Sequence, residues 1–547
     1  MTQAVSPAHG AQVSSEAGRP IARESLWIFA LGLLLFTLGL WQQPFIDFES
    51  RFALFAQEMW RHGLTLFPTT YTEPYPDYPV TGTVLIWLCS LPFGGVTKFA
   101  AVLPTAIAAA FNLVLLYRLL ARFSRRWAVM ALCLEVMTVS FLAEARSISL
   151  DQMLATLTLL AFYLTYLTHT GLRRGKAWLP LLLLAGFAVR GPLGVVIPAG
   201  VICAYYAAMR EWRLLLRDGV IAAVVLVVAW AALLAVAAKI YGDSFAWDVA
   251  RMQVFGRLES TGPAQPLYYF FSSFGNYALA YPLAMVVIAA MVPALAAGGV
   301  ATPRQKMLLG LMVWVAVVLV GLSIPHVKKS RYLLPIVPAL AALAAYPWCD
   351  ASSRPLRYLK YAAERLFLVL PVLLAVALAV VDHRYRHHHG GIRLSLPALY
   401  AVLCVAQVAA VWIFFRRESI RGVALAVVAA LAMWTVNMLA VEPVLRQAHD
   451  TATFVAQVEA IRAQKPAPLV FFGLTRDGEA IKYAVNLPHD FSPVIADDVS
   501  VLAQRPRPFY LLARDRNIDA IKSLATPERR VLQGWFDDHA FSLFYFP

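Results

Sequence analysis

The sequence predicts a polytopic α-helical membrane protein that ends in a small extracytoplasmic α/β domain. Composition is the first observation: 60% of the residues are hydrophobic, only 14% are charged, and the mean hydropathy is +0.64. A soluble enzyme of 547 residues needs far more polar surface. The second is a succession of long, nearly charge-free windows, which read as membrane spans rather than buried globular helices. The third is a change of composition near residue 441, beyond which short apolar runs alternate with charged segments. The net charge of +15 is scattered in small clusters between the apolar windows. It is a topology signal and implies no nucleic-acid partner.

Candidate spans fall at about 25–43, 99–117, 127–143, 149–169, 177–189, 192–209, 219–238, 267–298, 308–324, 332–347, 366–381, 395–414 and 422–440. About thirteen transmembrane helices are thus expected within 25–440, after a cytoplasmic tail at 1–24. The first span follows Arg19 and Arg23 and lacks a small-residue cleavage end, so it reads as a retained helix rather than a signal peptide. With the amino terminus in the cytoplasm, connectors 118–126, 173–176, 210–217, 304–306, 354–365 and 416–421 fall inside and hold nineteen Lys and Arg. The positive-inside rule requires that bias. The apolar run 80–91 is short for a span, and counting it would reverse every later connector; an interfacial or re-entrant helix is expected there. The outward segments are then 44–98, 144–151, Arg190, 239–266, 326–331, 382–393 and everything beyond about Val441.

From 441 to 547 an amphipathic helix is expected at 450–463. Buried strands are expected at 469–473 and 509–513, a last strand at 540–546, and helical segments near 477–483 and 517–523. The domain has no glycine-rich phosphate loop. Five cysteines lie in or beside apolar spans without ligand or redox spacing, and read as small packing residues.

The loop at 44–98 is far longer than a connector needs. It holds five acids, Asp47, Glu49, Glu58, Glu73 and Asp77, among aromatics and prolines. A carboxylate at the outer surface can take a proton from an acceptor hydroxyl or amine. Asp47 and Glu49, two residues apart, point to one side if locally extended, and Arg51 is near enough to fix one of them. The competing reading is a structured loop whose acids face water.

A second signal is His326-Val327-Lys328-Lys329-Ser330-Arg331-Tyr332, with three cations on the side where positive charge is disfavoured. An anionic lipid head, a pyrophosphate or a phosphate would compensate them, and so would the loop acids. Arg190, in Arg190-Gly191-Pro192, interrupts what is otherwise one long apolar run, a position suited to lining a cavity or meeting an anion. Glu144, Arg146 and Asp151 form a comparable lip, open to mutual pairing or to substrate contact. The segment 247–265, with Arg251 and Arg257, reads as an amphipathic surface helix. His387, His388 and His389 are adjacent and cannot all turn toward one ion, so no metal site is assigned.

In order along the chain, these motifs resemble the bacterial membrane glycosyltransferases of the GT-C class. The closer likeness is to the branch containing the aminoarabinose transferase of lipid A and the protein O-mannosyltransferases. The family's acidic motif has its counterpart in Asp47-Phe48-Glu49-Ser50-Arg51-Phe52-Ala53, and its second loop motif in Asp77-Tyr78-Pro79-Val80 before Trp87. Ala145-Arg146 with Asp151-Gln152 follows, then Arg190-Gly191-Pro192, then Lys328-Lys329-Ser330-Arg331-Tyr332. Two departures stand out: with Glu49 and Arg51 aligned, the family's catalytic aspartate falls on Phe48, and the lysine of the second motif is Tyr78.

The resemblance implies a thirteen-helix core in the bacterial inner membrane, with the carboxy-terminal domain in the periplasm. It also implies inverting transfer of a sugar from a polyprenyl-phosphate donor to a lipid, glycan or protein acceptor. In that scheme Asp47 is the base, displaced by one residue, with Glu49 its partner, or Glu49 has itself assumed the acid's role. Lys328, Lys329, Arg331 and Arg190 hold the donor phosphate, and Arg51, Asp77, Tyr78, Arg146, Asp151 and Tyr332 orient substrate. A divalent metal ion at the loop carboxylates is compatible with this chemistry, but no ligand spacing calls for one. The alternatives are a transporter or flippase of lipid-linked glycans, which predicts ionisable residues buried mid-membrane at broken helices, and a catalytically idle scaffold.

Overall fold

The computed structural model describes residues 9–41, 43–173, 175, 177–256, 265–298, 302–388, 396–416, 420–522 and 529–547. Arg257 and His389, named above, lie outside the described residues, as do Arg174, Lys176 and Arg417 of the basic connectors. The chain forms two compact units. One comprises Met1–Leu38, Thr105–Arg384 and Ser395–Val436; the other comprises Gly39–Pro104, Tyr385–Leu394 and Asn437–Pro547.

The first unit is helical. Among the described residues seven helical stretches are long and apolar enough to cross a membrane: Lys98–Leu120, Leu150–His169, Trp212–Tyr241, Pro303–Ser323, Arg354–Arg384, Leu396–Phe415 and the stretch opening at Arg421. An eighth is added if Arg125–Val136 and Val139–Ala145, bent by 74° at their junction, count as one. The expected number of about thirteen is therefore wrong. Hydropathy windows count any apolar run, whereas crossing needs length. Trp178–Arg190 has 13 residues and Leu193–Ala208 has 16, reaching roughly 20–24 Å against a hydrocarbon core of about 30 Å. The expected span at 332–347 is a 3-10 stretch, Ser330–Ile336, followed by the eight-residue helix Val337–Ala344. The span expected at 267–298 divides into Tyr268–Asn276 and Ala280–Gly298, on either side of Leu279 at φ +69°.

Apolar side chains cover the outside of this unit. Only 17% of the apolar window of Trp212–Tyr241 is buried, and Val224, Val227 and Val228 point outward. Such a surface suits lipid and not water. The chain is a multi-pass membrane protein with an extramembrane carboxy-terminal segment.

Charges gather at two opposite ends of the helical unit. At one end Arg125 pairs with Glu24, Arg304 with Asp350, Arg421 with Glu364, and His169 with Glu211. Aromatic contacts Phe123–Tyr166 and Trp127–Tyr346 link these pairs. The basic connectors thus share one end, as the charge bias requires, although the number of spans differs. At the other end lies Asp151; along the helix Leu150–His169 the two ends are about 27 Å apart.

The second unit joins the first loop to the carboxy-terminal segment. Its five-stranded sheet contains β3 (Leu469–Phe472), β4 (Val494–Ala496), β5 (Phe509–Arg514), β6 (Arg530–Phe536) and β7 (His539–Phe546), in the order β4-β3-β5-β7-β6. β4, β3 and β5 are parallel; β7 and β6 return antiparallel. The centre of the sheet is apolar on both faces. Phe471, Tyr510, Leu512 and Leu543 pack on Phe454, Val455 and Val458 of the helix Ala452–Gln464. Val470, Phe472, Leu511 and Phe544 face Leu502 and Ile521. Burial on both faces explains the unbroken apolar runs of β3 and β5. The first loop contributes the helix Glu49–His62, the hairpin β1 (Thr69–Thr70) and β2 (Glu73–Pro74), and the ten-residue helix Thr81–Ser90 within the run 80–91.

Candidate functional site

Arg190 owes its place to a helical hairpin. Trp178–Arg190 and Leu193–Ala208 cross so closely that a Cβ on Gly186 or Gly194 would lie 2.1 Å or 1.8 Å from the other's carbonyl oxygen. Gly191, at φ +61°, ends the first helix, and Pro192 leads into the second. Arg190 is thereby presented at the hairpin tip, where its Nε donates to Asp151 Oδ1 at 2.8 Å.

Asp151 sits in the first turn of Leu150–His169, whose N-cap Ser149 accepts from Gln152 N. Its other oxygen faces Arg331 Nε at 3.4 Å. One buried carboxylate is therefore shared by two guanidinium groups. The Arg190 guanidinium lies 5.7 Å from the centre of the Tyr332 ring. Lys328 Nζ lies 5.6 Å from the Tyr269 ring and donates to the carbonyls of Ser323 and Pro325; burial draws its pKa below the usual lysine value. Lys329 is exposed, and its backbone N–H donates to the Tyr269 hydroxyl. Tyr277 donates to Ser330 O at 2.6 Å. Beside this cluster opens a cavity of about 150 Å³, walled by Pro192, Leu193, Leu322 and Val327, with Tyr269 and Tyr332 at its edge. An apolar slot with Arg190 and Lys328 against the tyrosines at its edge suits a molecule with an anionic head and an apolar tail.

Arg146 is engaged elsewhere. Its Nη1 and Nη2 donate to the carbonyls of Leu35 and Leu38 at the end of the first helix, the charge and the end of the dipole being complementary.

In the second unit the loop acids separate into different roles. Glu49, 2% exposed, is paired with Lys98, 5% exposed. Glu58 is buried and accepts from the backbone N–H groups of Tyr71 and Thr72. Those two residues have φ of +58° and +65° in the tight turn of the hairpin. Glu73 is exposed and pairs with Arg476 at 2.6 Å. Asp47, at φ +49°, keeps its side chain 61% exposed, with Lys482 Nζ at 3.8 Å. Arg51 donates to Asp477 O at 2.7 Å and lies over Tyr75. Burial works against its charge, but Tyr75, Tyr78, Asp477 and Asp77 outweigh that and raise its pKa. Tyr78 is buried against Phe52, Phe55 and Tyr75, and Asp77 is half-buried.

The structure thus brings Arg190, Asp151, Arg331 and Tyr332 together in one unit, and Asp47, Glu49, Arg51 and Tyr78 in the other. Sequence reasoning missed Lys98, although a lone lysine opening a long apolar run was a readable signal. It also missed Tyr269, Lys482 and Asp537, whose importance only the fold reveals. Among the described residues no three His, Cys, Asp or Glu side chains converge as a metal site.

A family model described as dolichyl-phosphate-mannose-protein mannosyltransferase matches residues 77–240. Comparison with curated protein sequences finds no significant match. Among solved structures, the chain superposes on ArnT from Cupriavidus metallidurans, both bound to undecaprenyl phosphate and in the apo state. Each superposition has a TM-score of 0.67 and 17% identity, and covers 95% of this chain and 97% of the other. This chain has the ArnT fold. The likeness read from the motifs is thus matched over nearly the whole chain at the level of the fold. The Archaeoglobus fulgidus oligosaccharyltransferase is more distant, with a TM-score of 0.49, 12% identity, and 91% and 70% coverage.

Proposed function

We propose that the chain is an inverting glycosyltransferase at the outer face of the bacterial inner membrane. It moves a sugar from a polyprenyl-phosphate carrier to a hydroxyl or amine of a lipid such as lipid A, an envelope glycan or a protein. The observation that carries this reading is the Asp151 carboxylate shared by Arg190 and Arg331 beside an apolar cavity. The ArnT fold supports the same reading, since one ArnT structure holds undecaprenyl phosphate.

In this scheme the prenyl chain lies on the apolar wall, and the phosphate meets Arg190 and Arg331 with Lys328 and Lys329 nearby. Tyr332 and Asp151 hold the arginines in place. Asp47 takes the proton of the acceptor, and the acceptor oxygen or nitrogen attacks the anomeric carbon opposite the phosphate. As the new bond forms, the carbon–oxygen bond to phosphate breaks, and the electron pair leaves with the polyprenyl phosphate. The cationic cluster stabilises that charge as it develops, and alignment of the reactants contributes the rest. Asp47 suits the base because it is exposed, whereas Glu49 is buried against Lys98 and serves to fix the helix that follows. Arg51, Asp77 and Tyr78 set the shape of the acceptor loop, and Arg146 fixes the end of the first helix. No step of this scheme is routed through a metal ion.

The test is transfer of radiolabelled sugar from cellular polyprenyl-phosphate donors into a membrane fraction, at matched expression of wild type, Asp47→Asn and Glu49→Gln. Wild-type transfer lost in Asp47→Asn is expected. Undiminished transfer by that variant would sink its role as base, and a wild type inert beside active ArnT would sink the enzyme reading.

A flippase is the second reading, and Glu135 favours it. Glu135 is fully buried ten residues into Arg125–Val136, next to the 74° break, and neither carboxyl oxygen has a hydrogen-bond partner. That depth is about 15 Å from the basic end, where an ionisable residue is a default pathway candidate. Glu135→Gln abolishing lipid translocation in vesicles, with Asp47→Asn inert, would establish this alternative.

A further inference from the structure

The parallel strands of the carboxy-terminal sheet have the spatial order β4-β3-β5, so the chain leaves β3 to one side and then crosses to the other. In open α/β sheets the carboxyl ends of such strands form a crevice that takes a ligand. Here the crevice is already filled. Glu479 accepts from Thr475 and pairs with Arg514, which ends β5. The loop leaving β3 is also taken up by the first outer loop: Arg51 donates to Asp477 O, Tyr71 OH donates to Arg476 O, and Arg476 pairs with Glu73.

One turn further on, Lys482 lies between two carboxylates. Its Nζ is 2.5 Å from Asp537 Oδ2 and 3.8 Å from Asp47. Asp537 is held in turn by His449 Nδ1 at 2.7 Å. Asp47 is a non-glycine residue in the left-handed region, a conformation that persists only where its surroundings impose it.

We propose that the carboxy-terminal α/β domain is a working part of the transfer site, with Lys482 as a positioning residue that holds the Asp47 carboxylate in place. This rests on Asp47 being the base. Asp537 and His449 fix the lysine from behind, so its ammonium restrains the short segment between the first helix and Glu49–His62. The domain has exchanged the ligand crevice of its fold for a grip on the acidic loop.

Two measurements on the full-length protein test this, with Lys482→Met, Lys482→Arg and Asp537→Asn. In the first, amide hydrogen exchange across residues 44–52 rises in Lys482→Met, rises less in Asp537→Asn, and stays at the wild-type level in Lys482→Arg; β3 and β5 remain protected in all three. In the second, Lys482→Met lowers kcat about tenfold at an unchanged KM for the polyprenyl-phosphate sugar, and Lys482→Arg restores it. A general folding role would not give that kcat-only loss with rescue by arginine. Unchanged exchange in Lys482→Met overturns the positioning claim, whatever the activity. A loosened loop with wild-type kcat overturns its importance for transfer. If the wild type transfers nothing, the functional reading fails instead, and the exchange measurement alone decides whether Lys482 positions Asp47.

Discussion

The helical unit and the unit built around the first loop each bury an acid against a base, but the surroundings differ. In the helical unit Asp151 faces two arginines beside an apolar cavity. In the other unit Glu49 is paired with Lys98, and both are buried. Asp47, two residues away, is exposed and only loosely approached by Lys482. A buried ion pair fixes a backbone, guanidinium groups beside an apolar cavity suit an anionic head, and an exposed carboxylate can accept a proton. One type of contact thus serves three purposes, decided by surroundings and exposure.

The largest effect expected from breaking this division of labour is at Asp47. Asp47→Asn should lower sugar transfer by about 10²–10³-fold, within the range for removing a general base, while donor binding stays intact; initial rates at saturating donor check this. Next comes Glu49→Gln. It leaves Lys98 buried without a counter-charge and should destabilise the protein by about 3 kcal/mol, seen as a lowered Tm, with residual folded protein still active. Unchanged Tm with abolished transfer would instead make Glu49 the base. Arg331→Ala and Arg190→Ala remove charge-assisted contacts worth roughly 1.5–3 kcal/mol, so donor KM should rise about 10- to 100-fold with a smaller change in kcat.

The smallest effect is pH dependence within the carboxy-terminal sheet. Burial raises the Glu479 pKa, but hydrogen bonds from Thr475 and the nearby Arg514 outweigh it, and the net shift is downward from 4.5. A carboxyl depressed in the folded state contributes stability that is complete above its unfolded value and is lost as pH falls through the folded one. Hydrogen exchange in β3 and β5 should therefore be flat from pH 7 to about pH 5 after correction for intrinsic rates, and protection should decline below about pH 4.5. Glu479→Gln should flatten that decline.

Much of this was legible in the sequence, for identifiable reasons. Arg190-Gly191-Pro192 announced a break with a charge at its tip, because glycine and proline each have a backbone meaning independent of context. β3 and β5 showed as continuous apolar runs because the sheet is covered on both faces. β4 and β6 did not, since three residues carry no period and Arg530–Phe536 is an edge strand with an exposed side. The number of spans was misread because 178–190 and 193–208 are too short to cross, and 332–347 is apolar from packing among neighbours. Hydropathy does not distinguish that from contact with lipid. Lys482 lies 435 positions from Asp47, beyond the reach of any local pattern. Tyr269 and Arg331 were equally hard to join to Asp151 without the fold.

The most direct single measurement is the affinity of purified protein for undecaprenyl phosphate, compared among wild type, Asp47→Asn and Arg331→Ala. The expected result is wild-type affinity in Asp47→Asn and at least a tenfold loss in Arg331→Ala. Weaker binding in Asp47→Asn with none lost in Arg331→Ala would contradict the assignment of the anion site to the helical unit and of the base to the loop.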